Sequence, residues 1–315
     1  MFDLLQFLAS LLDYRMWVTI LIVLAHTLPA LGHQGMMFFI KEAKLFEHLI
    51  IQPNPRSPVS SELRSKLWRA ALITHCVQFP LLVWLFHPFV LGESTIQAIP
   101  ARFDLGEMPT LAEFLPHLLV CILLEDAAFY WCHRLLHTPW LYARIHKQHH
   151  EFKTLTSYSL ASEYTHAIES ILGNLVPVLL GPIVLRGHFK FTSFLMWVVV
   201  RMFKSCDSHC GYRFEWSPFD VCWPLNSTVK HDFHHESGFG GCFGSFFVFW
   251  DSICGTDKSY YRDKELKKSN DRRQMEQRLC LWYNCAMWYV AVLFAFNVVY
   301  RGDTKKTVFP ATDER

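Results

Sequence analysis

The chain has 315 residues, of which 51% are hydrophobic, 16% aromatic and only 18% charged, with a formal net charge of +2 and a mean hydropathy of +0.15. That profile excludes an ordinary soluble globular domain and fits a polytopic membrane protein of one compact domain. The near-neutral charge removes any bulk electrostatic case for nucleic acid, and no helix-turn-helix, RRM or zinc-finger pattern is present.

A bilayer span needs about 20 apolar residues. The first such stretch, Met16 to Ile40, lacks a basic leader and a small-residue cleavage site, so it is expected to be a retained anchor. The following loop, Lys41 to Arg69, carries Lys41, Lys44, Arg56, Arg64, Lys66 and Arg69. A second apolar stretch runs from Leu67 to Leu91. The segment after it, Leu91 to Glu113, holds Arg102 against Glu93, Asp104, Glu107 and Glu113. The positive-inside rule puts the first loop in the cytosol and the second opposite. A third stretch, Leu111 to Trp131, returns to the cytosolic side. A Pro- and Gly-punctuated pair, Ile168 to Leu185 and Phe189 to Phe203, goes in and comes back, and a last stretch covers Leu279 to Tyr300. Pro29, Pro80 and Pro177 are expected to kink these helices rather than exclude them. Tyr260–Arg278 reads as a charged connector, and Arg301–Arg315 as a short polar tail. The chain accordingly divides into a transmembrane hairpin and cytosolic loop (1–110), a catalytic region (111–258) and a connector, apolar helix and tail (259–315). The expected fold is an all-α integral membrane protein: a transmembrane helical bundle with a cytosolic-side helical cap that carries a histidine-rich di-metal site.

Three histidine clusters motivate that cap. They are His133-Arg-Leu-Leu-His137, His146-Lys-Gln-His149-His150 and His231-Asp-Phe-His234-His235, with His209 as a ninth candidate. Spacing of i, i+3 and i+4 would put imidazoles on one helical face, and neutral imidazole binds iron, zinc or copper. The topology places all three clusters on one side of the membrane, as a shared site requires. An all-imidazole site is neutral, so acidic partners are expected around it. Asp126, Glu163, Asp207 and Asp232 are the leading candidates, with Glu125, Glu169 and Glu236 also nearby in sequence. The HExxH pattern of zinc hydrolases is absent, because Lys147 and Gln148 stand between His146 and His149. This tilts the reading from a zinc hydrolase to an iron oxygenase acting on a greasy substrate. The ten scattered cysteines lack paired CxxC spacing and read as packing residues or free thiols; Cys206 and Cys210 flank His209, which leaves a thiolate ligand open. The other seven histidines, at 26, 33, 48, 75, 87, 117 and 188, read as packing or interfacial residues.

HRLLH, HKQHH and HDFHH together resemble the membrane fatty acid hydroxylase superfamily. Ser162-Glu-Tyr-Thr-His166, Ser208-His-Cys-Gly-Tyr212, Trp250-Asp-Ser-Ile-Cys-Gly-Thr-Asp257 and Ile51-Gln-Pro are similar to segments of its 4-methyl sterol oxidases. The resemblance covers roughly Ile51 to Asp257. It implies two iron ions, dioxygen as co-substrate, electrons from NAD(P)H through a separate cytochrome b5-type donor, and the endoplasmic reticulum membrane. It implies stepwise oxidation of a sterol 4-methyl group toward the carboxylate, and as metal ligands His133, His137, His146, His149, His150, His209, His231, His234 and His235. His166 matches a further family histidine and is expected as a ligand or close partner. Other enzymes on the same scaffold stay open: a sterol desaturase, a fatty acid or sphingolipid hydroxylase, or an aldehyde-processing relative. So do two non-enzymatic roles, a degenerate scaffold or a metal transporter. The chain departs from the family pattern at Ala167, where proline is usual. It departs again in the glycine-rich run Glu236–Ser245, which is expected to reshape the substrate cavity or its lid.

Overall fold

A computed structural model of the chain describes residues 14–55, 57–91, 108–185, 189–214, 216–219, 225–238 and 240–265. The apolar stretch at 279–300 lies outside them. The described residues form helices joined by short irregular segments, with two isolated antiparallel bridges, Ile50 to Tyr212 and Leu225 to Phe247.

Helix α1 (Tyr14–Glu42) is followed by α2 (Ser61–Ile73), which runs through a π-helical turn at Thr74–Gln78 into α3 (Phe79–Leu91). Ser60 starts α2 by accepting the Leu63 N–H at 3.1 Å. Helix α4 (Leu111–Leu136) begins at a capping box: Thr110 Oγ1 accepts the Glu113 N–H, and Glu113 Oε2 accepts the Thr110 N–H at 2.9 Å. A second continuous rod starts at Ala167–Glu169, passes through a π turn at Ser170–Leu175 and ends in α5 (Val176–Val184). Helix α6 (Phe191–Ser208) and the short helices α7 (Thr228–Ser237), α8 (Phe249–Cys254) and α9 (Lys258–Glu265) complete the described chain. Gly238, at φ +70°, ends α7.

Three helical rods among the described residues are long and apolar enough to cross a membrane: Arg15–Glu42, Ser61–Phe86 and Ala167–Val184. The expected spans at 111–131 and 189–203 fold as α4 and α6, but both carry ionisable side chains among their buried residues. These are Glu125 and Asp126 on α4, and Arg201, Lys204 and Asp207 on α6. Glu125 Oε1 accepts from Arg201 Nε, so the two helices are joined by a buried ion pair. Such groups are expensive in hydrocarbon and are kept where protein surrounds them. The outer rods show the reverse pattern: Leu28, Phe39, Leu72, Val77 and Leu81 are exposed, as lipid-facing side chains must be.

Helix α1 packs along α6, α4 against α5, and α1 against α3. Val18 and Ile22 share a core with Phe194 and Val198, Ala30 shares one with Met202 and Cys206, and Met37 and Ile40 share a third with Cys210. Helices α1 and α6 therefore run in the same direction, and both lead toward the end of the molecule where His209 sits. At the α4–α5 crossing the backbones nearly touch, because a Cβ on Gly181 would lie 2.5 Å from Cys121 Cα.

Candidate metal centre

The nine clustered histidines come together in two buried groups. One holds His133, His137, His146, His150 and His234; the other holds His149, His209, His231 and His235. Within each group one ring nitrogen per residue lies within 4.8 Å of all the others. Three helices carry or end at site histidines: His133 lies in the last turn of α4, His137 caps its C-terminus, and His231, His234 and His235 lie on α7. His209 caps the C-terminus of α6. The HKQHH segment is not α-helical. His146 closes a π turn at Tyr142–His146, and His149 and His150 open a 3₁₀ turn.

Each HxxHH segment divides its side chains between the two groups. His146 and His150 enter the first and His149 the second, whereas His234 enters the first and His231 and His235 the second. In both segments the i, i+4 pair stays together and the i+3 residue joins the other group, although the spacing alone puts all three near one face. The two groups therefore share a wall, with His150 and His235 ring centroids 4.8 Å apart.

Ring orientation is set from behind. Nδ1 of His133 donates to the Phe243 carbonyl at 3.0 Å, His234 to Gly241 at 2.7 Å, His235 to Phe152 at 2.9 Å and His209 to Ser205 at 2.8 Å. His146 Nδ1 meets Glu169 Oε1 at 2.8 Å. A carbonyl or an ionised carboxylate can only accept, so, with Glu169 ionised, each of these rings carries its proton on Nδ1 and turns the Nε2 lone pair inward. The inward nitrogens face one another closely: His133 to His146 at 3.2 Å, His150 to His146 at 3.1 Å, His137 to His234 at 3.2 Å, His149 to His209 at 3.3 Å and His231 to His209 at 2.9 Å. His133 and His146 are both committed at Nδ1, so their facing lone pairs repel unless a cation lies between them. With metal–nitrogen bonds of about 2.0–2.1 Å, ligands of one ion sit ~3.0–3.4 Å apart. The residues present fit two metal ions.

Burial, and after it the neighbouring imidazoles, hold His146, His150, His231 and His234 well below the ordinary histidine range. The same causes act on His149 and His235. Neutral imidazole is the form that binds metal.

The loop after α7 grips the site. Gly241, at φ +86°, offers the carbonyl that holds His234, and a Cβ there would collide with the Thr256 carbonyl. Asp251 accepts the Phe243 and Gly244 N–H groups at 2.9 and 2.8 Å and the Thr256 hydroxyl at 2.6 Å. The Trp250–Asp257 segment thus fixes the very carbonyls that orient His133 and His234. Gln52 of Ile51-Gln-Pro donates to Asp232 at 2.7 Å and to the Lys153 carbonyl at 3.1 Å, tying the second histidine segment to α7.

Of the expected acidic partners, Asp126 instead accepts the Phe246 and Phe247 N–H groups at 2.8 and 2.9 Å. Asp207 accepts from Ser217 at 3.0 Å, and Glu163 pairs with His26 at 3.6 Å. The carboxylate on a site ring is that of Glu169, whose contact with His146 spans 23 residues of sequence and has no local signature. His166 lies outside both groups. Its Nδ1 accepts the Ile168 N–H at 3.2 Å, so it caps the turn that leads into α5. Cys206 is buried in the core and Cys210 Sγ contacts the Tyr212 carbonyl, so neither joins the histidines.

A cavity of about 990 Å³, counting its open mouth, lies between α1, α3, α5 and α6. Phe79, Phe86, Leu179 and Phe194 make most of it apolar. None of the nine site histidines lines it; Ser205, whose carbonyl holds His209, and Ser170, next to Glu169 in sequence, do. Phe243, Phe246 and Trp250 are not among its walls.

Among known proteins, the family model described as fatty acid hydroxylase matches residues 118–256. Methylsterol monooxygenase 2-2 of Arabidopsis thaliana is 37% identical over 169 residues, 53% of this chain and 62% of that protein. Methylsterol monooxygenase 2-1 of the same plant is 31% identical over 246 residues, 73% of this chain and 85% of that protein. Very-long-chain aldehyde decarbonylase GL1-11 of Oryza sativa subsp. indica is 33% identical over 230 residues, 72% of this chain and 81% of that protein. The chain spans 60–64% of the length of three of the methylsterol monooxygenases that it matches. No solved structure matches it.

Removing the carboxylate in Glu169→Ala should weaken metal retention roughly 10- to 100-fold, measured by chelator competition; Glu169→Gln keeps an acceptor and should lose less. Unchanged retention in both variants would show that the His146 contact does not tune the site. Acid should also destabilise the metal-free protein. The site histidines titrate near 6.5 when unfolded and lower when folded, so the unfolded chain takes up more protons as the pH falls through 6.5. The melting temperature in detergent should hold above that value and fall below it; a flat profile from pH 8 to 5 contradicts this.

Proposed function

The chain belongs to the fatty acid hydroxylase family, and on that premise we propose that it is a membrane-bound, di-iron, dioxygen-dependent oxidase of a lipid. The substrate class that it fits best is a 4-methyl sterol, whose methyl group would be oxidised stepwise toward the carboxylate. The observation that carries this reading is the division of nine buried imidazoles into two adjacent groups, with no carboxylate in either. Nine neutral donors suit two redox-active ions better than a hydrolytic zinc site, which keeps an acid poised as base. The sterol assignment rests on the relatives named as methylsterol monooxygenases.

The iron ions would be held by His133, His137, His146, His150 and His234, and by His149, His209, His231 and His235. When bound, they supply the oxidant that an unactivated C–H bond needs and that no side chain can provide. The remaining work belongs to the chain. The Phe243, Gly241, Phe152 and Ser205 carbonyls and Glu169 hold protons at the ring Nδ1 atoms and keep Nε2 free to bind metal. The apolar cavity would receive the lipid body from the bilayer, with Ser205, whose carbonyl holds His209, and Ser170, next to Glu169, in its wall.

Electrons would come from NAD(P)H through a cytochrome b5-type partner. The basic loop Lys41–Arg69 supports a site on the cytosolic side, and the resemblance to the sterol oxidases supports the endoplasmic reticulum membrane. Lys147 and Lys153 are exposed beside the second histidine segment and suit an acidic partner. A second reading, oxidation of a long-chain aldehyde, is favoured by the aldehyde decarbonylase match, which covers 81% of that relative.

The test is turnover in microsomes with NADH, cytochrome b5, dioxygen and a 4,4-dimethyl sterol, read by mass spectrometry. Hydroxymethyl and carboxyl products that need oxygen and vanish in His149→Ala are expected. No product from iron-loaded protein would reject the sterol and move the assay to long-chain aldehydes and acyl chains. In the same assay, Lys147→Glu with Lys153→Glu should raise the KM for cytochrome b5 several-fold and leave the KM for lipid unchanged; unaltered donor kinetics would remove these lysines from the docking face.

A further inference from the structure

Among the polar side chains that line the otherwise apolar cavity, which include Arg201, one facing pair, His26 and Glu163, is not used by the metal centre. His26 sits well inside the long rod α1, twelve residues from its start, where an ionisable side chain is costly and marks a function. It lines the cavity together with Glu163, and the two face each other with Nε2 and Oε2 3.6 Å apart and only 14% of each side chain exposed. That gap is beyond a hydrogen bond. His26 Nδ1 is buried without a hydrogen-bond partner among the described residues, and the ring stacks on Phe79 with centroids 4.0 Å apart. The stacking fixes the imidazole plane. Thr74 and Gln78 on the π turn, and Asn174 on the other, face the same space. Irregular helical turns of this kind are frequent at functional sites.

We propose that His26 and Glu163 form a recognition subsite for a hydroxyl group on the lipid substrate. A hydroxyl donates to a carboxylate and accepts from an imidazole N–H at once, and one lying beside the pair would bridge two side chains that do not bond each other. The placement is informative as well. Glu163 lines the same cavity as Ser205, whose carbonyl holds His209, and Ser170, next to Glu169, so the hydroxyl is held in a space whose wall adjoins the metal centre. A lipid alcohol with a bulky apolar body, such as a 3-hydroxysterol, meets both demands. An acyl chain with its polar head at the membrane surface does not. His26 and Glu163 are thus positioning residues that set specificity, and the inference rests on the lipid-oxidase reading of the same site.

Binding tests it without turnover. The full-length protein in nanodiscs is titrated with a fluorescent 3-hydroxysterol, dehydroergosterol, and with its 3-deoxy counterpart. The wild-type protein should bind the alcohol roughly tenfold more tightly than the deoxy compound, the contribution of one hydrogen bond to a charged or polar partner. His26→Phe and Glu163→Leu should each abolish that preference and leave deoxysterol affinity within about twofold. His26→Gln and Glu163→Gln, which keep hydrogen-bonding groups, should restore part of it. Unchanged metal content and melting temperature exclude misfolding as the cause. A wild-type preference near one, or a preference that survives both apolar substitutions, overturns the proposal. Turnover on a 4,4-dimethyl sterol, measured in parallel, separates the two ideas. Product without a hydroxyl preference sinks the subsite and keeps the oxidase; a preference without product keeps the subsite and sinks the reaction.

Discussion

Everything at this site depends on hydrogen bonds made on the side of the imidazoles that faces away from the metals. Five rings are committed at Nδ1, four to backbone carbonyls and one to Glu169. That commitment turns nitrogen lone pairs toward one another at about the spacing that ligands of one ion require. The energetic consequence is a site under tension. Neutral imidazoles are buried with lone pairs opposed, and only a cation relieves it.

The rest of the structure is arranged to keep those acceptors fixed. The carbonyls of Gly241 and Phe243 belong to a glycine-rich loop, and a loop by itself is a poor support for a metal ligand. Asp251 takes two N–H groups of that loop, Asp126 takes two more and Asn226 donates to the Gly244 carbonyl at 2.6 Å. Glu125 receives Ser245 as well as Arg201. Buried charge on α4 and α6 is therefore spent on loop geometry. This explains why helices that read as membrane spans carry carboxylates and a guanidinium inside the bundle.

Much of this was legible in the residues. Eight histidines in three close-spaced clusters, with His209 as a ninth, announced a metal centre, and apolar stretches announced an all-helical membrane protein. What was not legible followed from tertiary contacts. Even spacing cannot tell which histidine joins which group, because the answer depends on the angle at which two segments meet. Glu169 was one acidic residue among several, and only the fold brings it to His146. His166 resembled a ligand by its place in a motif, yet its ring is used by the local backbone. His26 read as a packing residue because a lone histidine in an apolar run has no neighbour in sequence to betray its partner; Glu163 is 137 positions away.

The π turns at Thr74–Gln78, Tyr142–His146 and Ser170–Leu175 carry a consequence of a different kind. Such a turn fits one more residue into a helix than α geometry does, so everything beyond it is rotated by about 100° relative to an uninterrupted rod. Two of these turns face the lipid cavity and the third delivers His146. Angular phase here is stored in residue count as well as in residue identity. A descendant that kept every histidine and every motif but lost a single residue from one of these turns would look intact by composition, and its cavity wall and metal ligands would no longer face the same way.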